Sequence, residues 1–159
     1  GIPGLTVTVT ADGGDPYHDL SGPNGGFGVC ERSTTNPFGN AGSQDNVTSG
    51  QSIALTFNQA VSLESLTTFS AGHGNHSGGF IDYTVNDGNG TLDLALPIGG
   101  ALVSLGDRVG TTHTFAYVDT QFYGSTVTVN PVPEPTSIAL FALGAGGLAF
   151  ARRRRRSVT

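Results

Sequence analysis

The chain has 159 residues, a formal net charge of −5, one cysteine and 25 glycines, and only 12% of it is charged, a balance that suits a turn-rich β protein better than a helical one. Five of its seven basic residues are Arg152–Arg156, so residues 1–131 set two arginines, Arg32 and Arg108, against eleven acids, a balance of −9. That surface excludes nucleic acid as a partner, because phosphate binding takes Lys and Arg, and it suits cations and neutral glycans.

The periodicity is two almost throughout. Leu5, Val7 and Val9 alternate with Thr6, Thr8 and Thr10, as in a half-buried strand. Gly1 opens directly into this run with no start Met, so a signal peptide is expected to have been removed upstream. Residues 11–26 are rich in Gly, Asp, Pro and Asn and read as a long loop. Residues 27–31 make a short strand, and 34–50 are irregular. Cys30 has no partner for an intrachain disulfide. It reads as a small buried hydrophobe, with a free thiol or an intermolecular bridge as alternatives.

Ile53, Leu55 and Phe57 alternate with Ser52, Ala54 and Thr56. Asn58-Gln59 then predicts a tight connection into a second strand over 61–69, together a hairpin. Residues 72–79 are a Gly/His/Asn loop. Ile81, Tyr83 and Val85 share one face of the next strand. Asn86-Asp87-Gly88-Asn89-Gly90 is a hairpin turn signal. Leu92, Leu94 and Leu96 return along one face, and Pro97 ends the strand. Residues 101–105 are ambiguous; 112–118 and 123–129 close the domain. These are about eight strands at spacings typical of a sandwich, so residues 1–130 are expected to form one all-β, antiparallel domain with a core of its own.

The last stretch has another character. Val132-Pro133-Glu134-Pro135 is a Pro-rich element that cannot enter a helix interior. Residues 136–151 follow without a single charge and are apolar all round, unlike an amphipathic soluble helix. Arg152, Arg153, Arg154, Arg155 and Arg156 come next. As a helix the uncharged segment would span about 24 Å, short of the ~20 residues usual for a membrane crossing. Pro135 and Thr136 can start it, and the first arginines can snorkel to the interface. The arginine cluster holds its own end in the cytoplasm. The expected order is therefore ectodomain 1–130, linker 131–135, transmembrane helix 136–151 and cytoplasmic tail 152–159.

This tail resembles the PEP-CTERM sorting signal of Gram-negative bacteria. The resemblance rests on Val132-Pro133-Glu134-Pro135, on the apolar 138–150 segment with Gly144, Gly146 and Gly147, and on Arg152–Arg156. It implies that the chain is a substrate of an exosortase, a membrane-embedded cysteine transpeptidase-like protease, cleaved near Pro133–Pro135. It also implies anchoring in the inner membrane before processing, then release to the cell surface in bacteria that make exopolysaccharide or biofilm matrix. Asp45-Asn46-Val47 through Ser52–Phe57, the Leu92–Leu96 strand, and Gln121-Phe122-Tyr123 through Val127-Thr128-Val129 make residues 27–129 similar to the β-sandwich that often precedes such tails, which implies a jelly-roll-like architecture, as in many carbohydrate-binding modules.

Few residues suggest chemistry. His73 and His76 are the best metal-ligand pair, though zinc wants a third and usually a fourth ligand, for which His18 and His113 are the distant candidates. Asp12, Asp15 and Asp19 are oxygen donors of the kind that holds Ca²⁺ with backbone carbonyls. Asp82, Asp87 and Asp93 flank a hairpin and read as edge and turn residues. No Gly-x-Ser-x-Gly or His-Glu-x-x-His occurs, and no spacing marks a carboxylate pair. Tyr17 and Tyr123 are the main candidates for stacking on sugar rings. The sequence thus points to a non-enzymatic surface or matrix protein, with a glycan-binding module as the alternative.

Overall fold

A computed structural model describes residues 2–19, 25–30, 46–70, 74–99 and 102–133. They form nine antiparallel strands: β1 (Val7–Asp12), β2 (Asp15–Asp19), β3 (Gly26–Cys30), β4 (Ser52–Phe69), β5 (Phe80–Val85), β6 (Thr91–Ala95), β7 (Leu102–Ser104), β8 (Val109–Tyr117) and β9 (Tyr123–Pro131). The all-β expectation holds, and the described residues contain no helix. The expected transmembrane helix, residues 136–151, lies outside the described residues, as do Arg152–Arg156.

β4 organises the fold. Its first half lies between β1 and β8, with Ala54 opposite both Thr10 and Thr114. Its second half lies between β9 and β7, with Leu66 opposite both Val127 and Val103. Two layers result. One runs β1-β4-β8-β5-β6 and the other β2-β3-β9-β4-β7, with β4 shared between them. A strand that passes from one layer to the other makes the corner of a sandwich. Ile53, Tyr83 and Phe115 from the first layer and Val29, Leu63 and Leu66 from the second belong to one buried cluster.

The expected hairpin at Asn58-Gln59 is therefore wrong: β4 continues through it. Buried Ile53, Leu55, Phe57, Val61 and Leu63 keep one parity across that dipeptide, so the chain has no need to reverse there. The pairing with β8 shifts register between Thr56 and Val61 instead. Asn58 is held from outside the strand, with its Oδ1 accepting from the Thr6 amide at 3.0 Å and its Nδ2 donating to the Gly4 carbonyl at 2.9 Å. A second irregularity, between Leu63 and Ser65, moves the buried set to Leu66 and Thr68. The extra residue there, Glu64, gives its carbonyl to the Leu105 amide at 3.0 Å.

The loop expected at 11–26 is also corrected, since it contains β2. Proline is tolerated in β2 because that strand is an edge, bonded on one side to β3. The ambiguous 101–105 segment contains the short strand β7. The turn at Asn86–Gly90 is as expected, with Gly88 at φ +82°. Leu92, expected to share a face with Leu94 and Leu96, is 41% exposed, because among the described residues β6 is the layer's last strand.

Candidate functional site

The C-terminal junction comes first. β9 stays paired with β4 to its last residue, through Val129↔Leu63, Asn130↔Ser62 and Pro131↔Val61. Pro131, the first residue of the expected linker, is the last residue of β9. Val132 is half-buried and Pro133 exposed, while Glu134 and Pro135 lie outside the described residues. Among the described residues no helix is long and apolar enough to cross a membrane.

The second feature is a concavity of about 300 Å³ lined by Val9, Pro16, Tyr17, His18 and Phe27. Its walls come from the two layers: β1 ends one, and β2 with β3 ends the other. Phe27 is held from behind, since its ring lies against Gly124, where any Cβ would collide with it. Tyr17 is half-buried, and Pro16 and His18 are exposed. The hollow sets a phenol and an imidazole beside the apolar surfaces of Val9, Pro16 and Phe27.

Tyr123, the other stacking candidate, is 2% exposed. Its ring stacks on Phe69 at 5.6 Å between centroids and covers Gly26. It is a core residue, closed to a ligand arriving from solvent. The parity of β9 did not carry that information, because the ladder shifts register between Thr126 and Gly124, so that Tyr123 pairs with Phe69 on the face opposite the one that Val127 shares with Leu66.

The interior holds a polar network that the sequence reading missed. Tyr83 stacks on Phe115 at 5.1 Å and on His113 at 6.0 Å. Its hydroxyl lies 2.8 Å from His113 Nδ1, and His113 Nε2 lies 3.2 Å from the Gly110 carbonyl. A carbonyl only accepts, so Nε2 carries the proton and Nδ1 accepts from the phenol. Burial lowers the His113 pKa and pushes that of Tyr83 up to about 12. Arg108 lies 5.9 Å from the Tyr83 ring centre. Its Nε donates to Asp87 Oδ2 at 2.9 Å and its Nη2 to Asp87 Oδ1. That pairing, with the Asn89 amide donating to Oδ1 at 2.9 Å, holds the Asp87 carboxyl well below the usual carboxylate range. Asn86 continues the clamp, its Oδ1 accepting from the Thr111 and Thr112 amides at 2.9 and 3.0 Å. The β5–β6 turn is thus pinned to the start of β8. Cys30 is buried, as expected.

The metal candidates do not converge. His73 lies outside the described residues. His76 is 2% exposed, with Nε2 3.0 Å from the Thr68 hydroxyl, and desolvation lowers its pKa. Thr68 is in the β9-paired half of β4, whereas His113 sits opposite Leu55 in the other half. His18 is at the concavity. Asp12 ends β1, where its Oδ1 accepts from the Gly13 amide at 3.0 Å. Asp15 and Asp19 stand at opposite ends of β2, four residues or about 13 Å apart along the strand. Asp82 and Asp93 face each other across β5 and β6. Desolvation, and then the neighbouring Asp93, raise the Asp82 pKa. Among the described residues no three His, Cys, Asp or Glu side chains are placed to hold a metal ion.

No curated protein and no solved structure matches the chain. One family model does, over residues 131–156, and it describes the PEP-CTERM protein-sorting motif. The match begins on the last residue of β9 and runs through the Pro-Glu-Pro element and the uncharged segment to Arg156. The chain therefore carries a PEP-CTERM sorting motif, which marks it for export, for anchoring in a membrane before processing, and for processing by an exosortase.

Proposed function

We propose that this chain is a non-enzymatic surface or extracellular-matrix protein, delivered to its place by exosortase processing of its tail. The sorting motif directly after a nine-stranded β domain carries this reading. An exported domain bearing two arginines against eleven acids is suited to remaining soluble outside the cell. The buried histidine and tyrosine at its centre are hydrogen-bonded to groups within the fold, which fits a structural role. The test is expression in a host that carries an exosortase and in the same host without it. The expected result is a released or surface form in the first and full-length membrane-bound chain in the second. Identical fractionation in the two hosts would contradict the proposal.

The concavity at Tyr17 favours a second role within the first, binding of an exopolysaccharide. The balance of −9 over residues 1–131 selects neutral sugars over uronates. Tyr17→Ala should then abolish retardation in gels cast with a neutral polysaccharide. Equal mobility of the variant and the parent would remove the glycan reading and leave the sorting reading untouched.

A further inference from the structure

The sorting motif leaves the domain where β4 passes from one layer to the other. β9 ends at Pro131, opposite Val61, and β8 begins beside it, with Gly110 opposite the same Val61. β1 starts there too, since Val7 pairs with Phe57. The other ends of β8 and β9, Tyr117 and Tyr123, are joined by five residues. The domain therefore has two poles. One is the bend of β4, which carries the motif, and the other is the β8–β9 turn.

From Pro131 to Thr136, where the uncharged run begins, the chain advances five residues, which reach at most ~18 Å. β9 has nine residues, so Tyr123 stands about 26 Å from Pro131 along the strand. The spacer is shorter than the strand, and an anchored domain cannot turn over to lay its far pole on the bilayer. The spacer sequence is also stiff. Pro131, Pro133 and Pro135 have a fixed φ, and Asn130, Val132 and Glu134 each precede a proline, which disfavours helical backbone. A sharp turn between β9 and the membrane is thereby disfavoured.

Charge points the same way. Asp12, Ser52, Ala116, Asp82 and Asp93 stand in one row across the first layer. The next row toward the bend, Thr10, Ala54, Thr114, Thr84 and Thr91, has no charge. Ala116 is six residues, or about 20 Å, from Gly110 along β8. Near the bend Asp87 is neutralised by Arg108, which leaves Asp107 and Glu64. An anionic bilayer repels carboxylates within about a Debye length, ~10 Å at 0.1 M salt. Standing on the bend keeps the acidic row beyond that range, and lying on the first layer would press it against the lipid.

We propose that, before processing, the domain stands on the membrane through the pole at the bend of β4, with the start of β8 facing the lipid headgroups and the acidic row and the β8–β9 turn facing outward. The partner is the lipid surface. The hollow at Tyr17 is held toward the outer pole, since Phe27 pairs with Gly124 near the start of β9, so a ligand can reach it while the chain is still anchored. The inference rests on the sorting reading, which supplies the anchor.

The full chain is tested in vesicles of phosphatidylethanolamine and phosphatidylglycerol with a quencher on the headgroups and no exosortase. In a Cys30→Ser background, a fluorophore is attached at one of three exposed sites: Val109→Cys at the bend, Val118→Cys in the β8–β9 turn, or Thr126→Cys on the side of β9. Quenching should be severalfold stronger at position 109 than at 118, and intermediate at 126. A Gly-Ser spacer of about 20 residues between Val132 and Pro133 spans about 25 Å as a flexible coil and should shrink the difference. Quenching at 118 or 126 that equals or exceeds that at 109, or a difference that survives the long spacer unchanged, overturns the proposal. A chain that does not float with the vesicles overturns the membrane anchoring of the sorting reading, and the proposal with it.

Discussion

The tail and the β domain store their information in different forms. The tail is read in order along the chain, as Pro-Glu-Pro, an uncharged run and then arginines, and none of it refers to a residue far away. The domain is read by which residues share a face across strands distant in sequence, such as Ile53 with Phe115 and Leu63 with Val129. A linear signal is recognisable by itself, which is why a family model finds residues 131–156 in a chain that otherwise matches nothing curated. The two forms meet at Pro131, which belongs to both.

The largest expected effect breaks the tail and spares the domain. Replacing Arg152–Arg156 with Gln should abolish processing, because the orientation signal is gone. The melting temperature of the domain should not move. Normal processing of that variant would remove the arginines from the signal. The reverse manipulation is Phe115→Ala in residues 1–133. Phe115 is fully buried against Tyr83, so the loss should be about 3–5 kcal/mol, or roughly 10 °C or more in melting temperature. The parent fragment should melt cooperatively and show β structure with almost no helix by circular dichroism. A helical spectrum would contradict the fold.

Acid should then separate the interior from the surface. Burial lowers the His76 and His113 pKa values in the folded state. Their contribution is complete above the ordinary imidazole value, about 6.5, and is lost as pH falls below it. Asp87 is held low by Arg108. Its contribution is complete above about pH 4 and is lost as pH falls further. Urea unfolding across pH should decline in two stages, and Asp87→Asn should remove the second. No decline between pH 7 and 5 would mean that the histidines are not buried as neutral groups. Asp82 has the opposite sign. Desolvation, and then the facing Asp93, raise its pKa, so its ionised form costs stability that returns as pH falls. Asp82→Asn should stabilise by less than about 1 kcal/mol at pH 7 and add nothing at pH 3.

The parts of the fold visible in the sequence were those governed by local alternation. The faces of β5 and β8 follow directly from Ile81-x-Tyr83-x-Val85 and His113-x-Phe115. The pairing scheme was not visible. Unbroken parity from Ile53 to Leu63 pointed to a single strand, but Asn58-Gln59 imitates a turn. Nothing local shows that β4 changes partners from β1 and β8 to β9 and β7. β2 was hidden because Asp, Pro and His are poor strand formers whose place is allowed only by the edge position. At the candidate site, Tyr17 was legible as an aromatic in a polar stretch. Val9 and Phe27 were not, since a hollow between two layers exists only once the layers are assembled. The Arg108–Asp87 clamp joins residues 21 apart, and no motif announces it.

The proposed role depends on loss of the tail. The most direct measurement is the intact mass of the protein recovered from the surface or medium of an exosortase-bearing host. The account predicts a form that ends near Pro135 and lacks the uncharged segment and all five arginines. A mature form that still carries Arg156 would contradict it.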